Sequence, residues 1–207
     1  KARQFYGGLL GYESAFQFDK PDGSGPALLF YKVNDDQFIE VSPGLPPNED
    51  RRMTHVSFQV TDAARARQLL EAQGLAPTAI TEGRDRNRAF RLNDPEGNVL
   101  EFTEYLPGGM HAQARGKAMT ANRISSHILH AGIVVTNPDE ALKFYRDKLG
   151  FQEFWRGGPT DNETRWINLR TPGNRGDYVE LMITAPNPTR TSLGSMQHDC
   201  LEVDDIQ

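Results

Sequence analysis

The chain repeats itself, and this constrains its fold more than any single segment does. Phe5-Tyr6 followed by Leu10-Gly11-Tyr12 returns 139 positions later as Phe144-Tyr145 followed by Leu149-Gly150-Phe151. Glu40 and Glu180 stand 140 apart, and His55 and His198 stand 143 apart. Three landmarks at nearly one offset imply two similar halves of roughly 140 residues. A shorter echo runs inside the first: the stretch from His55 to Val60 resembles that from His130 to Val135, each followed by a helical segment ending in glycine, Gly74 or Gly150. Each half therefore holds two similar units.

Patterning fills in the units. Residues 1 to 10 read as an amphipathic helix with Phe5, Leu9 and Leu10 apolar and Gly11 as its stop. Strands are expected over 14 to 19, 27 to 33 and 37 to 42, with a loop over 43 to 47. From 55 to 60 the alternation is clean, placing His55, Ser57 and Gln59 on one face and Val56, Phe58 and Val60 on the other. Asp62 is a plausible cap for a helix through Gln73 with Ala66, Leu69 and Leu70 as its apolar stripe. Strands over 76 to 81, 88 to 92 and 99 to 105 complete a β-α-β-β-β unit, the last entered through the turn Asn93-Asp94-Pro95-Glu96-Gly97-Asn98. Residues 107 to 126 lack a period and read as a linker, partly helical. The unit then restarts with a strand over 130 to 135 and a helix opened by Asn137 and Pro138. Strands follow over 151 to 156, 165 to 170 and 177 to 183, and another unit begins at 197 to 203.

The division expected is a first domain over 1–106, the linker over 107–126 and a second domain over 127–207, with the natural protein longer at both ends. A net charge of -5 gives no reason to propose nucleic acid or an anionic membrane as partner. The single cysteine, Cys200, excludes an intrachain disulfide and fits a reducing compartment, so a cytoplasmic location is expected.

Glu40 lies between Ile39 and Val41, Glu101 between Leu100 and Phe102, and Glu180 between Val179 and Leu181. Each strand would pack its apolar face and turn its acid the other way, as the histidines do. Inside a curved sheet those directions converge, and two imidazoles with one or two carboxylates suit a divalent metal with positions left open for a substrate.

This pattern resembles the vicinal oxygen chelate superfamily, which includes glyoxalase I, the type I extradiol dioxygenases and the bleomycin resistance proteins. The marks are Asp94-Pro95-Glu96-Gly97-Asn98 before Val99-Leu100-Glu101, and Lys143-Phe144-Tyr145 with Leu149-Gly150-Phe151. The resemblance implies an α+β fold of tandem βαβββ modules forming cup-shaped mixed sheets, in two pseudo-repeated halves. It also implies metal ligands on the first and last strand of each module. Carried over, His130, Glu180 and His198 match three ligand positions of the second half, and Glu40, His55 and Glu101 match three of the first. The fourth position of each set falls before Lys1 or about 50 residues beyond His198, by the His55 to Glu101 interval.

The resemblance further implies a small-molecule substrate bound through adjacent oxygens, a divalent cofactor (iron, manganese, nickel, zinc or magnesium) and a possible homodimer. In a glyoxalase-type lyase or isomerase, a ligand carboxylate moves the proton, a part that falls to Glu180 and Glu101. The alternatives are an iron(II) extradiol ring-cleavage dioxygenase, using a facial two-histidine, one-carboxylate set, and a metal-free binding protein of bleomycin-resistance type. His111 and His127 match no ligand position and read as structural. Trp155, Trp166 and Tyr178 read as lining, and Arg156, Arg165 and Arg170 as solvated cations.

Overall fold

The computed structural model describes residues 1–45, 52–173 and 175–205, so the end of the expected 43–47 loop lies outside them. A short helix, Arg3–Leu9, leads into strands β1 (Ser14–Asp19), β2 (Pro26–Lys32) and β3 (Phe38–Val41), which form an antiparallel sheet in that order. The second unit runs β4 (Val56–Val60), α1 (Ala63–Ala72), β5 (Thr81–Glu82), β6 (Arg88–Asn93) and β7 (Val99–Glu104), its strands ordered β4-β7-β6-β5. After α2 (Met110–Gln113), the third unit runs β8 (Ile128–Val135), α3 (Pro138–Leu142) continuing as Lys143–Lys148, β9 (Gln152–Gly157), β10 (Trp166–Arg170) and β11 (Tyr178–Ile183). A last helix, α4 (Arg190–Ser195), precedes β12 (His198–Leu201), which joins the third unit's sheet in the order β12-β8-β11-β10-β9.

The repeat is visible at atomic detail. In both copies of the Phe-Tyr helix the winding opens to i→i+5: the Leu10 amide donates to the Phe5 carbonyl at 2.9 Å, and the Leu149 amide to the Phe144 carbonyl at 3.0 Å. Gly11 and Gly150 then take φ of +75° and +76°, which a side chain would oppose. Within the units the parallel pairs β4–β7 and β8–β11 share one register, Ser57 opposite Glu101 and Gly132 opposite Glu180. His55 and His130 each sit two residues ahead of that row.

Packing joins the units crosswise. Phe90, Leu92, Leu100 and Phe102 of the second unit share one core with Ile133, Leu169 and Leu181 of the third. A second core gathers Tyr12, Leu29, Tyr31 and Ile39 of the first unit, with Ile128 and Leu201 against it. Burying a side chain such as Leu100 contributes about 1.5–3 kcal/mol.

The turn before β7 clasps the second unit to the third. Asp94 accepts from the Glu96 amide at 2.9 Å, the Asn98 amide at 2.8 Å and the Tyr145 hydroxyl at 3.0 Å. Glu96 reaches the start of α3, accepting from the Thr136 amide at 2.6 Å, the Asn137 amide at 2.9 Å and the Thr136 hydroxyl at 3.0 Å. A carboxylate there satisfies amides that open a helix and suits the positive end of its dipole.

Two expectations need correction, and the segment read as a linker has a further property. Where a strand was expected over 76 to 81, only Thr81–Glu82 pairs. Pro77 has no amide hydrogen, and Thr78 pairs irregularly, its amide and its hydroxyl both engaging Arg91 backbone. Leu69 is half exposed, so the buried stripe of α1 is Ala63 and Leu70, with Ala66 partly packed. The segment read as a linker is anchored: the fully buried Lys32 ammonium donates to the Ala114 and Lys117 carbonyls and to Asp35, which also accepts from the Gly116 amide.

Candidate metal centre

In the second half, β8, β11 and β12 bring His130, Glu180 and His198 to one point. Among the described residues they are the one group of three metal-type side chains whose donor atoms all lie within 4.8 Å. His130 Nε2 and His198 Nε2 are 3.1 Å apart, and Glu180 Oε2 lies 3.9 and 3.8 Å from them. Bonds of about 2.1 Å from one ion impose donor separations near 3.0–3.4 Å, so these atoms need only a small contraction to share a cation.

The protonation pattern suits that use. The His198 Nδ1–H donates to the Met196 carbonyl at 2.7 Å, which orients Nε2 toward His130. Burial, reinforced by His198, lowers the His130 imidazole to about 4, so it is neutral at neutral pH. Burial also raises the Glu180 carboxyl. Tyr178 covers His130 at 4.5 Å between ring centroids, and His130 Nδ1 is buried without a hydrogen-bond partner.

Gly132 makes the arrangement possible, and the sequence reading passed over it. A Cβ there would lie 2.5 and 2.6 Å from Cε1 and Nδ1 of His198. A glycine inside a strand marks such a close approach, and this was the signal available.

The first half gathers its three residues differently. His55 Nε2 lies 3.8 Å from Glu40 Oε2 and 4.0 Å from Glu101 Oε1. The other Glu101 oxygen, Oε2, receives the Arg91 guanidinium at 2.9 Å, and the Thr103 hydroxyl donates to Oε1 at 3.2 Å. Desolvation, with the Glu101 charge beside it, pushes the Glu40 carboxyl up to about 7. Desolvation lowers the His55 imidazole. A cleft of about 1530 Å³ has Phe18, Phe30, Phe38, Glu40, His55 and Glu101 in its wall and reaches His130 and His198.

The remaining candidates fall elsewhere. His111 is buried among Phe16, Phe30, Phe38 and Tyr105, beside Asp85 and Asn87. His127 pairs with Asp177 and Glu202. Arg156 and Arg165 pair with Glu153 and Glu163 at the surface, and Arg170 lies over Phe154 at 4.7 Å. Trp155 is half exposed. No helix among the described residues is long and apolar enough to cross a membrane.

With this geometry in view, the chain belongs to the glyoxalase/bleomycin resistance protein/dioxygenase superfamily. The superfamily profile matches residues 127–207, and a glyoxalase-like domain profile matches residues 1–103. An iron-dependent extradiol dioxygenase of Rhodococcus jostii is 26% identical over 210 residues, which cover 89% of this chain and 64% of the relative. In overall structure the chain is similar to the 2,3-dioxygenase LapB of Pseudomonas sp. KL28, with a TM-score of 0.64, 18% identity, and coverage of 88% of this chain and 65% of that one. It is also similar to the Mn(II)-bound glyoxalase of Novosphingobium aromaticivorans, with a TM-score of 0.62, 18% identity, and coverage of 88% and 56%. The chain thus spans just under two thirds of the length of the first two and just over half of the third.

Proposed function

We propose that this protein is a divalent-metal-dependent enzyme of the glyoxalase-like lyase or isomerase type, acting on a small molecule that carries two adjacent oxygens. The observation that carries the reading is the meeting of His130, Glu180 and His198 within 4.8 Å on three neighbouring strands. Two imidazoles and one carboxylate would hold the ion, and a bound divalent ion supplies Lewis-acid stabilisation of negative charge developing on substrate oxygen. Glu180, whose Oε2 lies within 4 Å of both imidazoles, is the residue positioned to move a proton. The His198 hydrogen bond to Met196 fixes the ring so that Nε2 faces inward, and the Tyr178 ring packs against that of His130.

One observation favours a second reading. Two histidines with one carboxylate are also the set used by non-haem iron(II) oxygenases, and the Rhodococcus jostii relative is named as an iron-dependent extradiol dioxygenase.

Metal analysis of the full-length protein tests the common ground: about one divalent ion per chain is expected, lost in His130→Ala and Glu180→Ala. A full-length protein without metal would refute both readings. Oxygen uptake with catechols separates them, since consumption of dioxygen by the iron(II) form would overturn the lyase or isomerase assignment.

A further inference from the structure

The two halves can be compared row by row, because the same register runs through both. In the second unit one row crosses β6, β7 and β4 as Arg91, Glu101 and Ser57. In the third unit the equivalent row crosses β10, β11 and β8 as Asn168, Glu180 and Gly132. His55 and His130 stand two residues ahead of Ser57 and Gly132. Each cup thus presents one histidine and one glutamate at matched places. The residue paired beside the glutamate differs: a cation in the first cup, a neutral amide in the second.

That difference decides what each cup can hold. Arg91 Nε sits 2.9 Å from Glu101 Oε2, so one oxygen of the carboxylate is already satisfied by a fixed positive charge. The Arg91 charge also acts on Glu40 and on His55, the other two members of the first cluster. A divalent ion among Glu40, His55 and Glu101 would meet that guanidinium at close range, and repulsion there opposes it. Asn168 exerts no such charge on Glu180, and its Oδ1 is buried without a partner. The residues of the first cup therefore do not fit a metal as they stand.

We infer that Arg91 is the resident counter-cation of the first cup, and that it keeps the His55–Glu40–Glu101 cluster free of metal while the matched Asn168 leaves the second cup open. This goes beyond the proposed function, which concerns the second cup alone.

The test is a titration of chelator-treated full-length protein with Co(II), reading stoichiometry and the Co(II) absorption spectrum. Arg91→Asn, which installs the residue of the second cup, is expected to bind one equivalent more than the wild type. Its first-cup affinity is expected to rise about tenfold or more, and the added equivalent should vanish in Arg91→Asn with His55→Ala. Because the Arg91 side chain is 56% exposed, the substitution leaves the core untouched. The reverse change, Asn168→Arg, is expected to weaken second-cup binding by a similar factor. A wild-type equivalent lost in His55→Ala, or an Arg91→Asn protein that binds no more Co(II) than the wild type, would overturn the inference. If the wild type binds no metal and Arg91→Asn binds one equivalent, the proposed function and the role given to Asn168 fall while the role of Arg91 stands.

Discussion

Gly132→Ala is the most direct test of how the second cup is built. The added methyl would stand 2.5 Å from Cε1 and 2.6 Å from Nδ1 of His198, and 3.1 Å from Sδ of Met182. Carbon contacts settle near about 3.5–4.0 Å, so the imidazole must retreat by about 1 Å. Met182 is flexible and can yield, but the His198 ring is tied by its Nδ1–H to the Met196 carbonyl at 2.7 Å. A metal–nitrogen bond tolerates only about 0.2 Å, so the displaced ring no longer reaches an ion held by His130 and Glu180. The expected result is a loss of metal affinity of about 10–100-fold, approaching that of His198→Ala.

Folding should suffer less. Overpacking costs about 1–3 kcal/mol, a fall of several degrees in melting temperature for a chain of this size. The assay is a metal titration of wild type, Gly132→Ala and His198→Ala beside thermal unfolding of each. Gly157→Ala supplies the control, because its Cβ would meet the Trp155 ring at 2.6 Å, a similar insult outside the three ligands. Wild-type affinity in Gly132→Ala would show that His198 is not a ligand in this seat, and the reasoning would fail.

Other expectations concern stability. Glu96→Ala removes the acceptor of three hydrogen bonds at the start of α3 and should cost about 2–4 kcal/mol in urea unfolding; a cost no larger than that of the surface change Glu71→Ala would refute the clasp. Tyr145→Phe takes a buried donor from Asp94 and should cost about 1–3 kcal/mol by the same measurement. Glu40 has a folded-state value of about 7 against an ordinary 4.5, so its contribution is present below 4.5 and is lost as pH rises through 7. Glu40→Gln should therefore stabilise the metal-free protein at pH 8 but not at pH 4.5, by no more than about 1 kcal/mol because a third of the side chain meets water; an equal effect at both pH values would count against the shift.

Much of the scaffold was legible because it rests on local physics. The alternation from Val56 to Val60, the Asp62 and Asn137 caps, and the glycines that stop helices each act within a few residues. The strand expected at 76 to 81 is absent up to Thr81 for an equally local reason, because Pro77 has no amide hydrogen to give to a ladder. What was not legible depends on partners far along the chain. Asp94-Pro95-Glu96-Gly97-Asn98 read as a turn, yet Asp94 and Glu96 work through Tyr145, Thr136 and Asn137, some 40 to 50 residues away. Lys32 read as one residue of a strand, and its partners Ala114 and Lys117 lie 82 and 85 positions on.

The contrast between the two cups shows why a repeat read by offset alone misleads at the site itself. Arg91 precedes Glu101 by ten residues, and ten residues before Glu180 stands Arg170, so counting would set an arginine beside both acids. The hairpins decide otherwise. The short turn between β6 and β7 pairs Asn93 with Val99, which places Arg91 opposite Glu101. The longer connection between β10 and β11 pairs Arg170 with Tyr178, which slides Asn168 opposite Glu180 and turns Arg170 onto Phe154. A two-residue difference in loop length thus exchanges a guanidinium for an amide beside the carboxylate, while every ligand-type residue keeps its place. Register follows from loop length and pairing rather than from residue type. The charge that separates the two cups is therefore written in the turns, at positions that ligand spacing alone does not mark.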